Sequence, residues 1–254
     1  MKRGRLDKEE EVKRLKALAY FIFNFRYATL GQIHAFINLV MNLSYARRLV
    51  SYALKNGYLN RYYEPTIRTK IYHLTQKGKD LIYGIEPLAE HYRFEKSLTG
   101  LNTFIHHNIL VQVYFMLKCH LEVKEWVCEW VLRINKKRHE KIPDALLVLP
   151  AGLKVAIEAE SRYKKLAVLK SLVTMYRYDI EKAARYDAVL IVASSRLQYE
   201  GLKLRLFAIS PEFFNERFLV TDIGLLEQGM CFHNGNSMHL EEAFGRLKER
   251  LNRG

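Results

Sequence analysis

The sequence of 254 residues exceeds one ordinary domain and falls short of three, and its 49% apolar content is enough for true cores and too much for a disordered chain. Lys and Arg number 41 against 27 Asp and Glu, a formal net charge of +14 that makes a phosphate-rich partner, nucleic acid above all, the leading expectation. Membrane spans, export and disulfide scaffolds are disfavoured: no apolar run reaches roughly 18 residues, the basic start Met1-Lys2-Arg3-Gly4-Arg5 leads into acids, and Cys119, Cys128 and Cys231 are odd in number and widely spaced. A cytoplasmic protein with reduced thiols is expected.

In chain order, Val12, Leu15, Leu18, Ala19, Ile22 and Phe23 recur at helical spacing. A second helix follows Thr29 as N-cap and carries Ile33, Phe36 and Ile37, and Ser44 caps a third over 45–56 that ends at Gly57. Two β-rich segments, 58–64 and 67–75, meet across Pro65-Thr66 as a hairpin, and Thr75 opens a fourth helix through Leu81. Residues 84–97 hold Pro87, charges and no periodicity, which suits a connector.

Three helices, a two-stranded wing and a further helix resemble a winged helix-turn-helix domain, with Tyr72-His73-Leu74-Thr75-Gln76-Lys77-Gly78 similar to its strand-to-helix junction. The resemblance implies that the third helix enters the major groove of double-stranded DNA while the wing follows the backbone. Tyr45, Arg48 and Tyr52, with Arg47, Ser51 and Lys55 on the adjoining strip, are the candidate groove contacts, and Arg61, Arg68 and Lys70 on the wing are the candidate phosphate contacts. The bland alternative is a solvated charged face on a protein-binding module.

Beyond the connector, 101–120 reads as a long apolar helix, and 126–134, 145–149 and 153–159 read as strands. A helix over 161–185 and a buried strand over 187–193 follow, and 238–253 carries a helical stripe of Leu240, Ala243, Phe244, Leu247 and Leu251. The order implies a mixed sheet between helices, so the expected fold is two-domain α/β. Glu158 and Glu160 alternate onto one face of their strand, and Asp144 opens the strand before it. If Asp144 stands at the same level, three carboxylates converge. Mutual repulsion and burial then push one towards protonation unless a divalent cation relieves them, and oxygen-only ligands suit Mg²⁺ or Mn²⁺. Such a site favours phosphodiester cleavage. Surface carboxylates paired with Arg162, Lys164 and Lys165 are the dull alternative.

Pro143-Asp144 followed by Glu158-Ala159-Glu160 resembles the PD-(D/E)XK restriction-endonuclease-like superfamily. The resemblance implies Asp144 and Glu158 as its acids and puts Glu160 at its usual lysine position, a departure for which Lys164 and Lys165 are the candidate substitutes. His107, beside His106 on the apolar helix, is a further metal candidate. A winged helix ahead of such a domain resembles the replication-relaxation proteins and plasmid mobilisation relaxases, implying a metal-dependent endonuclease that nicks DNA, with other mobilisation or replication proteins as partners. The expected domains are 1–90, winged helix, and 98–254, nuclease-like. A non-catalytic accessory factor or transcription regulator is the competing class, and no heptad seam prescribes an oligomer.

Overall fold

The computed structural model describes residues 8–38, 43–134, 141–150 and 152–251. It is a mixed α/β structure, with eleven α-helices and two sheets among the described residues. It divides into two compact units, Met1–Phe104 and Ile105–Gly254. No described helix is long and apolar enough to cross a membrane. The basic start lies outside the described residues.

In the first unit, α1 (Lys8–Phe25) begins with Glu9, Glu10 and Glu11, acids that complement the helix N-terminus. Its predicted stripe is buried except at Val12, which is 44% exposed. The short β1 (Ala28–Thr29) leads into α2 (Leu30–Asn38). Thr29 is the expected cap: its Oγ1 accepts from the Gln32 amide at 3.2 Å while Gln32 Oε1 accepts from the Thr29 amide at 2.8 Å, a reciprocal capping box. Helix α3 (Leu43–Lys55) starts before Ser44, which therefore lies inside the first turn rather than capping it. It is followed by Gly57 at φ +72°, as a left-handed C′ residue requires.

Strands β2 (Leu59–Glu64) and β3 (Thr69–Leu74) form the expected hairpin, in register from Leu59↔Leu74 to Glu64↔Thr69, and β1 pairs with the other side of β3. Thr75 caps α4 (Gln76–Tyr83) by accepting from the Gly78 amide. The segment read as a connector is packed instead. It forms two short 3₁₀ turns, Pro87–His91 and Lys96–Thr99, and buries Ala89 and Tyr92. Tyr92 donates to the Arg26 carbonyl and accepts from the Leu74 amide, His73 and Phe94 stack 4.0 Å apart, and Thr99 donates to the buried Glu64. Two aromatics and a hydroxyl in a Pro-containing stretch supply the packing that periodicity does not reveal.

The second unit opens within α5 (Leu101–His120) and continues with β4 (Glu125–Cys128). The predicted strand over 126–134 stops early, because Glu129 turns the chain into α6 (Glu129–Leu132), closed by the Arg133 amide on the Glu129 carbonyl. Strands β5 (Ala145–Val148) and β6 (Lys154–Glu160) follow, then α7 (Leu166–Glu181), which is shorter at both ends than the expected 161–185. Next come β7 (Ala188–Ala193), α8 (Arg196–Ile209), α9 (Pro211–Arg217), β8 (Phe218–Asp222) and α10 (Ile223–Glu227). The chain closes with β9 (Met230–His233), β10 (Asn236–His239) and α11 (Leu240–Leu251).

The sheet runs β10-β9-β8-β7-β6-β5-β4, parallel across β6, β7 and β8 and antiparallel outside them. Strand β7, Ala-Val-Leu-Ile-Val-Ala, is buried throughout, as a central parallel strand covered on both faces must be. One face packs on α7, α8 and α9 through Ala156, Val189, Ile191, Tyr176, Leu202 and Phe214. Glu158 and Glu160 share that face with Ala156 by strand alternation, so two acids enter an otherwise apolar layer.

Candidate functional site

The acids gather where parallel strands end, the edge at which open α/β sheets place their ligands. Ala145 pairs with Ile157 in the antiparallel β5–β6 ladder, which sets Asp144 opposite Glu158. The Asp144 amide donates to the Ile157 carbonyl at 3.0 Å, and Asp144 Oδ2 accepts from the Ala159 amide at 2.8 Å. The level that strand alternation left open is therefore met: Asp144 and Glu158 face one another across adjoining strands.

Each acid has a different electrostatic fate. His106 Nε2 lies 3.3 Å from Asp144 Oδ1. Burial alone raises the Asp144 carboxyl, but the hydrogen bond and charge of His106 and the Ala159 amide hold it below its ordinary value. Burial also disfavours a charged His106, yet Asp144 raises its imidazole net. Glu158, 2% exposed, accepts from the Tyr176 hydroxyl and pairs with Lys141 Nζ at 2.5 Å. Burial and the charge of Asp144 outweigh those partners and push its carboxyl up to about 7. Glu160 is turned to Lys164, whose ammonium is raised by that charge against the effect of burial, while burial leaves Glu160 itself raised.

Among the described residues, no three His, Cys, Asp or Glu side chains are disposed as a ready metal-ligand set. Lys141 and Lys164 supply positive charge at Glu158 and Glu160. Asp144 and Glu158 remain a facing pair of hard oxygen donors.

Of the other predicted site residues, His107 is buried, and burial, with the charge of His106, pushes its imidazole down to about 3. It is His106, one position earlier, that reaches Asp144. Lys165 is exposed at the N-terminus of α7, with no ion pair to the three acids. Sequence reasoning missed Lys141, although Lys141-Ile142-Pro143-Asp144 placed a cation three residues before the first acid. Tyr176 of α7 is fully buried in the core, and its hydroxyl donates to Glu158, a bond that helical periodicity does not announce.

In the first unit, α3 splits sharply. Tyr45, Ala46, Leu49, Val50 and Ala53 are buried, whereas Arg47, Arg48, Ser51, Tyr52 and Lys55 are exposed. Tyr45 lies beneath two guanidiniums, Arg14 at 5.0 Å and Arg48 at 5.8 Å from its ring centre, so it supports the exposed face rather than extending it. Arg61, Arg68 and Lys70 on the hairpin are all exposed.

A family model described as replication-relaxation matches residues 20–189, more than half of the chain. The chain belongs to the replication-relaxation family. A comparison with curated proteins finds no match. The matched span of this replication-relaxation protein contains the α3 face, the hairpin and every member of the acid site: His106, Lys141, Asp144, Glu158, Glu160, Lys164 and Tyr176. Membership ties the chain to replication or mobilisation.

Proposed function

We propose that this replication-relaxation protein is a metal-dependent DNA endonuclease that nicks one strand during plasmid or mobile-element replication or transfer. In this reading the first unit is a winged helix that grips duplex DNA through Arg47, Arg48, Ser51, Tyr52 and Lys55 on α3 and Arg61, Arg68 and Lys70 on the hairpin. The second unit is a restriction-endonuclease-like domain.

The observation that carries the reading is the facing pair Asp144 and Glu158 at the end of β6, one held ionised and the other pushed up to about 7. Two carboxyls that crowd one another in a basic protein form the kind of site whose repulsion a divalent cation relieves, and such a cation assists phosphodiester chemistry. The oxygen donors fit Mg²⁺ or Mn²⁺ in the mode that uses two carboxylates, with waters and a substrate phosphate completing the shell. Asp144 and Glu158 would hold the ion, which when bound supplies charge to polarise the scissile phosphate and ready a hydroxyl nucleophile. His106 orients Asp144 and Tyr176 orients Glu158. Lys141, paired with Glu158, and Lys164, paired with Glu160 at the superfamily's usual lysine position, would supply positive charge to a substrate phosphate.

The test is supercoiled plasmid bearing the protein's own origin region, incubated with Mg²⁺ or Mn²⁺. Wild type is expected to yield nicked circles, and Asp144→Asn and Glu158→Gln to leave the plasmid supercoiled. One feature favours a second reading: the Lys141–Glu158 and Lys164–Glu160 pairs neutralise two acids internally, as in a non-catalytic accessory factor or regulator that keeps the fold for assembly. Unchanged supercoils beside intact DNA binding select that reading.

A further inference from the structure

Lys164 stands between two open cavities. One, of about 460 Å³, is walled by Lys141 and Lys164, the lysines paired with Glu158 and Glu160, together with the exposed side of the first turns of α7. The other, of about 630 Å³, lies across Lys164 and is lined by Tyr163, Lys165, Leu166, Leu204 and Arg205. Its size is in the range of small-molecule and cofactor sites.

The chemistry of this second cavity is distinct. Arg205 lies over the Tyr163 ring, 3.9 Å from its centre, and donates to the Lys164 carbonyl at 3.1 Å, so the stacked pair is anchored to the backbone beside the acid site. Tyr163 nevertheless stays 61% exposed, and Leu166 and Leu204 flank it at 48% and 67%. Three cations and no carboxylate line the cavity. No side chain caps α7, so the positive end of its dipole adds to the same wall. Gly201 makes the arrangement fit, since a Cβ there would stand 2.8 Å from the Tyr163 hydroxyl.

Exposed rings and alkyl groups among cations match one polymer in particular. A single nucleic-acid strand alternates flat apolar bases with phosphates, whereas a duplex hides its base faces. We propose that this cleft holds unpaired nucleotides of the DNA strand beside the Asp144–Glu158 site, with a base stacked on the Tyr163–Arg205 pair and Lys165 meeting an adjoining phosphate. The inference rests on the nuclease reading and deepens it: the strand that enters the site is locally melted.

The test is fluorescence anisotropy of the full chain with a labelled oligothymidine of about a dozen nucleotides, in chelator, so that no cleavage contributes. Tyr163→Ala and Arg205→Ala are each expected to weaken binding at least about 5-fold, the lower end for loss of one stacked base. Tyr163→Phe, which keeps the ring, binds as wild type. Gly201→Ala keeps or raises the melting temperature, since alanine suits a helix interior, but displaces Tyr163 and weakens binding. Wild-type affinity in both Tyr163→Ala and Arg205→Ala overturns the proposal. So does a wild-type chain that leaves the oligothymidine unbound, which assigns the surface to a protein partner. Binding losses without any plasmid nicking by wild type would remove the nuclease reading and leave the cleft, whereas nicking that needs Asp144 and Glu158 but tolerates both cleft variants removes the cleft alone.

Discussion

A carboxyl group raised to about 7 by burial and a neighbouring anion gives Glu158 a measurable signature. Between its ordinary value of 4.5 and 7, the folded chain holds a proton that the unfolded chain has already lost. Stability from this group is therefore complete below 4.5 and declines as pH rises through 7. Buried neutral His107 acts in the opposite sense, losing stability as pH falls below the ordinary histidine value of 6.5. The difference between wild type and Glu158→Gln isolates the first effect. Urea unfolding across that window, in chelator, should show wild type losing up to about 3 kcal/mol relative to Glu158→Gln as pH rises. A pH-independent difference would mean that Glu158 stays charged throughout. Asp144 behaves otherwise: its ionised form is held by His106 and the Ala159 amide, so His106→Ala should raise its carboxyl and diminish nicking most at low pH, which a pH–rate profile would report. The residue types of this site were legible from Asp144, Glu158 and Glu160 and their alternation, but their partners were not. His106 comes from a helix that only the folded chain brings to β5, and Lys141, although near Asp144 in sequence, meets Glu158 of the next strand, a pairing that linear spacing does not announce.

At the scale of elements, a single kind of substitution should have opposite effects at two glycines. A Cβ on Gly78 in α4 would lie 2.2 Å from the Tyr58 carbonyl, a backbone atom that cannot swing away, so Gly78→Ala is expected to cost about 1–3 kcal/mol or more. Gly31 in α2 is exposed, with Thr29 Oγ1 at 3.8 Å as its near neighbour, and Gly31→Ala should stabilise by about 0.4–1 kcal/mol through the unfolded chain. Thermal melts of the two variants decide both. Elements with local punctuation were the readable ones: Thr29 and Thr75 as caps, Gly57 as a stop, the hairpin across Pro65-Thr66 and the unbroken apolar run of β7. Strand β8 and helices α8 and α9 were missed. Phe218-Leu219-Val220-Thr221-Asp222 is five residues long and buried throughout, too short for a period, while α8 scatters Leu197, Leu204 and Phe207 on its exposed side and blurs its own stripe. The late start of α7 relative to the expected 161 has a different cause, because Arg162 and Lys164 give their backbone carbonyls to Gln198 and Arg205 rather than to a helical turn.

For the molecule as a whole, the net charge of +14 makes ionic strength the natural variable. Affinity for duplex DNA should fall linearly on a log-log plot against salt, and Arg47→Ala, Arg61→Ala and Lys70→Ala should each flatten the slope by about 1 if each side chain neutralises a phosphate. Slopes unchanged in all three would place the duplex elsewhere. The larger sheet carries a separate consequence in its outermost members. Strands β4 and β10 end the array, and both are only four residues long. Stubby borders of this kind give another polypeptide little backbone to zip onto, which guards a framework rich in Val, Ala and Leu against runaway stacking into fibrils.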